Sequence, residues 1–119
     1  MPRFVVLKHT APRGTHWDFM LETQEALTTW ALAQPPDAAP QVAAEALPDH
    51  RKAYLDYEGP ISDQRGSVTR WDRGTFQLRR SDLDEITLVL SGETLIGEVT
   101  LRRSAADPAQ WTFSYLPYA

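Results

Sequence analysis

From Arg3 to Leu116 the chain is cut by turn-forming residues into short runs, and this punctuation constrains the fold more than any single motif. Runs rich in β-branched and aromatic residues cover Arg3 to His9, Thr15 to Glu22, Ala26 to Ala33, Ser67 to Asp72, Thr75 to Arg80, Glu85 to Leu90, Thr94 to Arg103 and Gln110 to Leu116. Between them stand Ala11-Pro12-Arg13-Gly14, residues 23–25, Asp63-Gln64-Arg65-Gly66, Arg73-Gly74, Ser91-Gly92-Glu93 and a loop over 104–108. These residues pre-set or tolerate turn geometry. Strands at such intervals predict a mainly β fold, a small closed antiparallel β-barrel. Gln34 to Pro40 carries three prolines in seven residues and reads as an extended surface loop. Gln41 to Leu47 is open between helix, from its alanines, and strand, from its shortness. Asp49 to Tyr57 predicts one or two short flanking helical segments, with Asp49 as cap. At 119 residues the whole chain, 1–119, is expected to be one domain around one core.

Composition narrows the chemistry. With no cysteine, disulfides, thiolate metal sites and a cysteine nucleophile are excluded. No apolar run approaches a membrane span or a signal peptide, so no membrane partner and a cytoplasmic location are expected. A net charge of −4 argues against a general polyanion binder. Of the 12 cationic residues only Lys8 and Lys52 are lysines; arginine's planar fork suits phosphate and carboxylate recognition, although a coding bias would produce the same excess.

The stretch Thr15 to Glu22 carries the chemistry. On a strand, Trp17, Phe19 and Leu21 share an apolar face, while His16, Asp18, Met20 and Glu22 share the other. Side chains two apart on a strand lie about 6.6 Å apart and point the same way, so His16 and Asp18 can converge on one cation. His9, across the short reversal, is the third candidate ligand. The bland alternative is a polar rim on a half-exposed strand, since His-x-Asp alone is a weak motif. His50 and Tyr54, four apart, can hydrogen-bond one anion, or His50 can simply sit at a capped helix start. Arg13, Arg51, Lys52 and Arg65 would form a cationic rim. The four tryptophans read as core, and Asp72-Arg73-Gly74 as a turn without a catalytic role.

Taken in order, Phe4-Val5-Val6-Leu7-Lys8-His9, His16-Trp17-Asp18-Phe19-Met20-Leu21-Glu22, Thr29-Trp30-Ala31, Asp49-His50 with Tyr54, Glu58-Gly59-Pro60-Ile61, Trp71-Asp72-Arg73-Gly74-Thr75 and Gly92-Glu93-Thr94-Leu95-Ile96-Gly97 resemble the phosphoesterase domain of bacterial DNA ligase D. That family also includes small stand-alone members. The resemblance implies a compact β-barrel that heals DNA or RNA 3′ ends, removing a 3′ phosphate or 3′ ribonucleoside with Mn2+ or another divalent transition metal. It places His9, His16 and Asp18 on the metal, and His50 and Tyr54 on the phosphate. The chain departs from the pattern at Met20, where the family has an arginine. It also opens directly on the first strand, without the preceding segment that supplies further arginine and acidic residues. The reversal between His9 and His16 is one residue longer, the loop after Ile61 is shorter, and Gln34 stands where lysine is common. Arg13 is the candidate to replace the guanidinium missing at Met20, with Arg65 as the other arginine that could fill that space.

Three functions compete. The first is a metal-dependent phosphoesterase acting on nucleic-acid 3′ ends, or on a small phosphate ester, in DNA repair. The second is a non-catalytic binding or scaffold module of the same fold, partnered by end-repair proteins. The third is a two-histidine, one-carboxylate iron oxygenase built on His16, Asp18 and His50, with Arg102 for a keto acid.

Overall fold

The computed structural model describes residues 1–118, which form a mainly β structure of nine strands. In chain order they are β1 (Arg3–Ala11), β2 (Gly14–Glu22), β3 (Leu27–Leu32), β4 (Gln41–His50), β5 (Gly59–Pro60), β6 (Ser67–Ser81), β7 (Glu85–Gly92), β8 (Ile96–Arg103) and β9 (Gln110–Pro117). Every pairing is antiparallel, in the order β1-β2-β3-β4-β9-β8-β7-β6-β5, and β1 also pairs with β6. The sheet thus returns on itself, and only the two-residue β5 hangs outside the ring. No helix among the described residues is long and apolar enough to cross a membrane.

Closure depends on β6, which the sequence divides into two strands around an Arg73-Gly74 turn. The structure corrects this: residues 67–81 are one strand whose first half pairs with β1 and whose second half pairs with β7. A register shift opposite Val6/Leu7 interrupts the first ladder and another at Leu78/Arg80 the second, and such bulges bend a strand. Gly74 sits where β7 crowds the strand. A β-carbon there would lie 2.1 Å from the Ser91 carbonyl oxygen, so glycine serves close approach rather than a turn. Asp72, 2 % exposed, accepts the backbone N–H groups of Glu93 and Thr94 on Oδ1 and of Leu95 on Oδ2, at 3.0, 2.9 and 2.8 Å. It ties β6 to the turn between β7 and β8.

The predicted helical segments are absent. Asp49 and His50 complete β4, and only a four-residue 3-10 turn follows, over Lys52–Leu55, with Arg51 rather than Asp49 at its cap position. The ambiguous Gln41 to Leu47 segment is strand. Pro48 is accommodated because β9 pairs β4 only from Gln41 to Glu45, and the β3 register shifts beside it, so no ladder hydrogen bond needs its missing N–H.

Burial divides into two clusters. Phe4, Val6, Phe19, Trp30, Leu88, Leu101 and Phe113 belong to the main core within the ring. The opposite faces of β1 and β2 contribute Val5, Leu7 and Met20 to a smaller cluster, joined by Leu27, Leu55 and Val68 and flanked by Tyr54 and Ile61. Strand β1 is therefore buried on both faces from Phe4 to Leu7. The segment between β4 and β6 covers its outer face, and the candidate site opens at the end of that cover.

Candidate metal centre and cleft

The β1–β2 register sets His9 directly opposite His16, and Leu7 opposite Asp18. Side-chain alternation then brings three polar groups to one face, above the second cluster. His9 Nδ1 lies 3.2 Å from His16 Nε2 and 3.5 Å from Asp18 Oδ2, and His16 Nε2 lies 2.9 Å from Asp18 Oδ1. Ligand atoms about 2.1 Å from a shared divalent ion stand roughly 3.0–3.4 Å apart, so the spacing suits one ion.

The donor chemistry agrees. His9 Nε2 is 2.8 Å from the Arg65 carbonyl oxygen, which can only accept, so Nε2 carries the proton and Nδ1 offers its lone pair to the cluster. Asp18 is 3 % exposed, and its Oδ1 receives no hydrogen bond of acceptable direction despite the short distance to His16. A buried carboxylate oxygen without a donor is costly in a protein that leaves the site as it stands. A cation among the three groups would remove that cost. In the protein alone, the contact with Asp18 raises the His16 pKa above the ordinary imidazole value, opposed by burial and assisted by the charges of Asp18 and Glu45.

Beside the cluster lies a cleft of about 330 Å³ whose walls include His9, Asp18, Met20, Asp49, His50, Arg51, Tyr54 and Arg65. His50 Nδ1 donates to the Pro48 carbonyl at 2.9 Å, which leaves Nε2 as the nitrogen available to a ligand. The His50 and Tyr54 rings meet edge to face at 5.9 Å, and Tyr57 packs the same way against Tyr54 at 5.8 Å. Met20, 1 % exposed, forms part of the floor.

The structure thus gathers His9, His16 and Asp18, and sets His50 and Tyr54 in the adjoining cleft. It does not gather all of the proposed rim. Arg13 is exposed in the β1–β2 turn and does not line the cleft. Lys52 turns to Glu22, 3.6 Å away, whereas Arg51 and Arg65 do line the cleft. Arg102 is paired with Glu85 at 2.7 Å on the far strands. One participant escaped sequence reasoning altogether, the Arg65 carbonyl that orients His9. A backbone oxygen carries no residue signature, and only the path of the loop over 62–66 puts it there.

The chain matches the family model described as the DNA ligase D 3′-phosphoesterase domain over residues 7–103. It is 35 % identical over 121 aligned residues to the multifunctional non-homologous end joining protein LigD of Pseudomonas aeruginosa, covering 92 % of this chain and 14 % of that protein. The proteins of the same name from Mycobacterium bovis and, as a DNA repair protein, Mycobacterium tuberculosis are each 31 % identical over 113 residues, covering 87 % of this chain and 15 % of theirs. The chain spans about a seventh of these relatives' length. With the match running from β1 through the end of β8, the chain belongs to the DNA ligase D 3′-phosphoesterase domain family.

Proposed function

We propose that this chain is a metal-dependent phosphoesterase acting on the 3′ ends of nucleic acids, as an end-processing step of DNA repair. The observation that carries the reading is the buried Asp18 carboxylate, lacking a hydrogen-bond donor on Oδ1 and flanked by two imidazoles at the edge of a cleft that Arg51 and Arg65 also line. His9 Nδ1, His16 Nε2 and Asp18 would hold Mn2+ or another divalent transition metal. Such an ion, when bound, supplies Lewis-acid activation of a phosphoryl group.

The chain's own residues do the rest. The Arg65 carbonyl fixes the His9 tautomer, so this ligand is oriented before any ion arrives. Pro48 fixes His50 in the same manner, leaving Nε2 to contact a phosphate oxygen or, when protonated, to pass its proton to the leaving oxygen. Tyr54 holds the His50 ring from the side and adds a hydroxyl to the same wall. Leu47 and Ile61 give the cleft apolar walls, which strengthen charge interactions inside it.

The test uses purified protein with Mn2+ and oligonucleotides ending in a 3′ phosphate or a 3′ ribonucleotide. Release of phosphate or nucleoside is expected, falling about 100- to 1000-fold in His50→Ala and lost in His16→Ala. Folded, metal-loaded protein that releases nothing from either substrate sinks the reading. The second reading, a module that binds ends or repair proteins without turnover, draws on Met20, an apolar side chain in the cleft floor where the family pattern has arginine. It expects a 3′-end complex that survives unchanged in the presence of Mn2+.

A further inference from the structure

We propose that Arg65 and Arg51, which both line the cleft, clamp the phosphate of the substrate in place of a guanidinium on β2. The inference rests on the phosphoesterase reading and adds residues to the same site. Met20 cannot be that clamp, because it is apolar and packed into the second cluster with Val5 and Leu7. Arg13, the other candidate close in sequence, lies outside the cleft walls.

Six arginines have acidic partners: Arg3 with Asp56, Arg70 with Glu58, Arg73 with Glu93, Arg80 with Asp82, Arg102 with Glu85 and Arg103 with Asp84. Four others, Arg13, Arg51, Arg65 and Arg79, make no ion pair among the described residues, and two of these four line the cleft. On a chain with net charge −4, two arginines without an acidic partner that line one cleft are the feature an anionic ligand would find.

Arg65 is also held ready. Its Nε donates to the Ser62 carbonyl at 3.0 Å and its Nη2 to Ser62 Oγ at 3.2 Å. Of its five N–H groups, three remain for a ligand, in a fixed plane that matches phosphate oxygens. The loop reaches this position through two left-handed residues, Asp63 (φ 61°) and Gln64 (φ 57°). The same loop turns the Arg65 carbonyl onto His9. One residue therefore orients a metal ligand through its backbone and faces the substrate with its side chain. Arg51 follows His50 directly and heads the turn that carries Tyr54, whose N–H donates to the Arg51 carbonyl at 3.0 Å. The acidic groups in the same walls are Asp18, which a cation would offset, and the exposed Asp49.

The experiment is a titration of inorganic phosphate into the full chain, with and without Mn2+, followed by calorimetry. Arg65→Ala and Arg51→Ala are each expected to weaken phosphate binding about tenfold, the size of a lost charge-assisted hydrogen bond. The double variant should lose more than either, and Arg65→Lys should recover part of the loss by restoring charge without the fork. Mn2+ affinity should be unchanged in all of them, because the Arg65 backbone carbonyl survives each substitution. Wild-type protein that binds no phosphate, or a double variant that binds it as well as wild type, overturns the proposal. Phosphate binding that depends on these arginines in a protein without turnover would instead sink the phosphoesterase reading and leave the clamp standing.

Discussion

Two buried carboxylates, Asp18 on β2 and Asp72 on β6, are equally hidden from solvent and differently supplied. Asp72 accepts three backbone N–H groups from the β7–β8 turn, so its charge is met by donors that folding puts in place. Asp18 faces two imidazoles, and its Oδ1 has no properly directed donor. The first arrangement is complete without a ligand; the second becomes complete only when a cation or proton enters. A buried carboxylate therefore indicates function through what it lacks, not through its burial.

The sharpest way to break this contrast is to truncate each carboxylate in turn. Asp72→Ala leaves three N–H groups to find water at the base of a turn, and a loss of about 4 kcal/mol in unfolding free energy is expected, read by urea denaturation. If the protein tolerates the change, Asp72 is not the tie described. Asp18→Asn should act in the opposite sense, leaving metal-free stability within about 1 kcal/mol of wild type while lowering Mn2+ affinity more than about 100-fold. Losing even a group that merely supports a ligand costs 10- to 100-fold. Equal destabilisation by both substitutions would erase the distinction.

The smallest effect is on pH dependence. Because Asp18 raises the His16 pKa in the folded chain, the stability this contributes is present in full below the unfolded imidazole value of about 6.5 and is lost as pH rises through the folded value. Denaturation midpoints of the metal-free protein should follow that trend, and Asp18→Asn should flatten it. Mn2+ binding should respond inversely, weakening as the solution is acidified, since the ion must displace the His16 proton.

Much of the site was legible because it lies on a hairpin. Alternation along Thr15 to Glu22 placed His16 and Asp18 on one face, and a tight Pro12-Arg13 reversal brings β1 back in register, so His9 opposite His16 is a local consequence. The ring of strands was legible in part, as runs and turns. What failed were features that depend on distant neighbours. Arg73-Gly74 has the composition of a turn, yet β1 and β7 hold it extended from either side. Asp49 has the composition of a helix cap, yet pairing of His50 with Leu27 carries β4 past it. Local propensity is worth tenths of a kcal/mol per residue, and a ladder of long-range hydrogen bonds outweighs it.

By itself, then, the sequence determined the period of each strand, and with it which side chains share a face and which ligands a hairpin can bring together. Only the tertiary structure decided that the loop over 62–66 would lay a carbonyl on His9 and a guanidinium along the cleft. It alone decided, too, that Met20 would be packed away while Arg51 and Arg65 stayed unpaired. The reason is physical: periodicity acts between neighbours in the chain, whereas the partner of a polar side chain is settled by distant segments, 56 residues away in the case of His9 and Arg65.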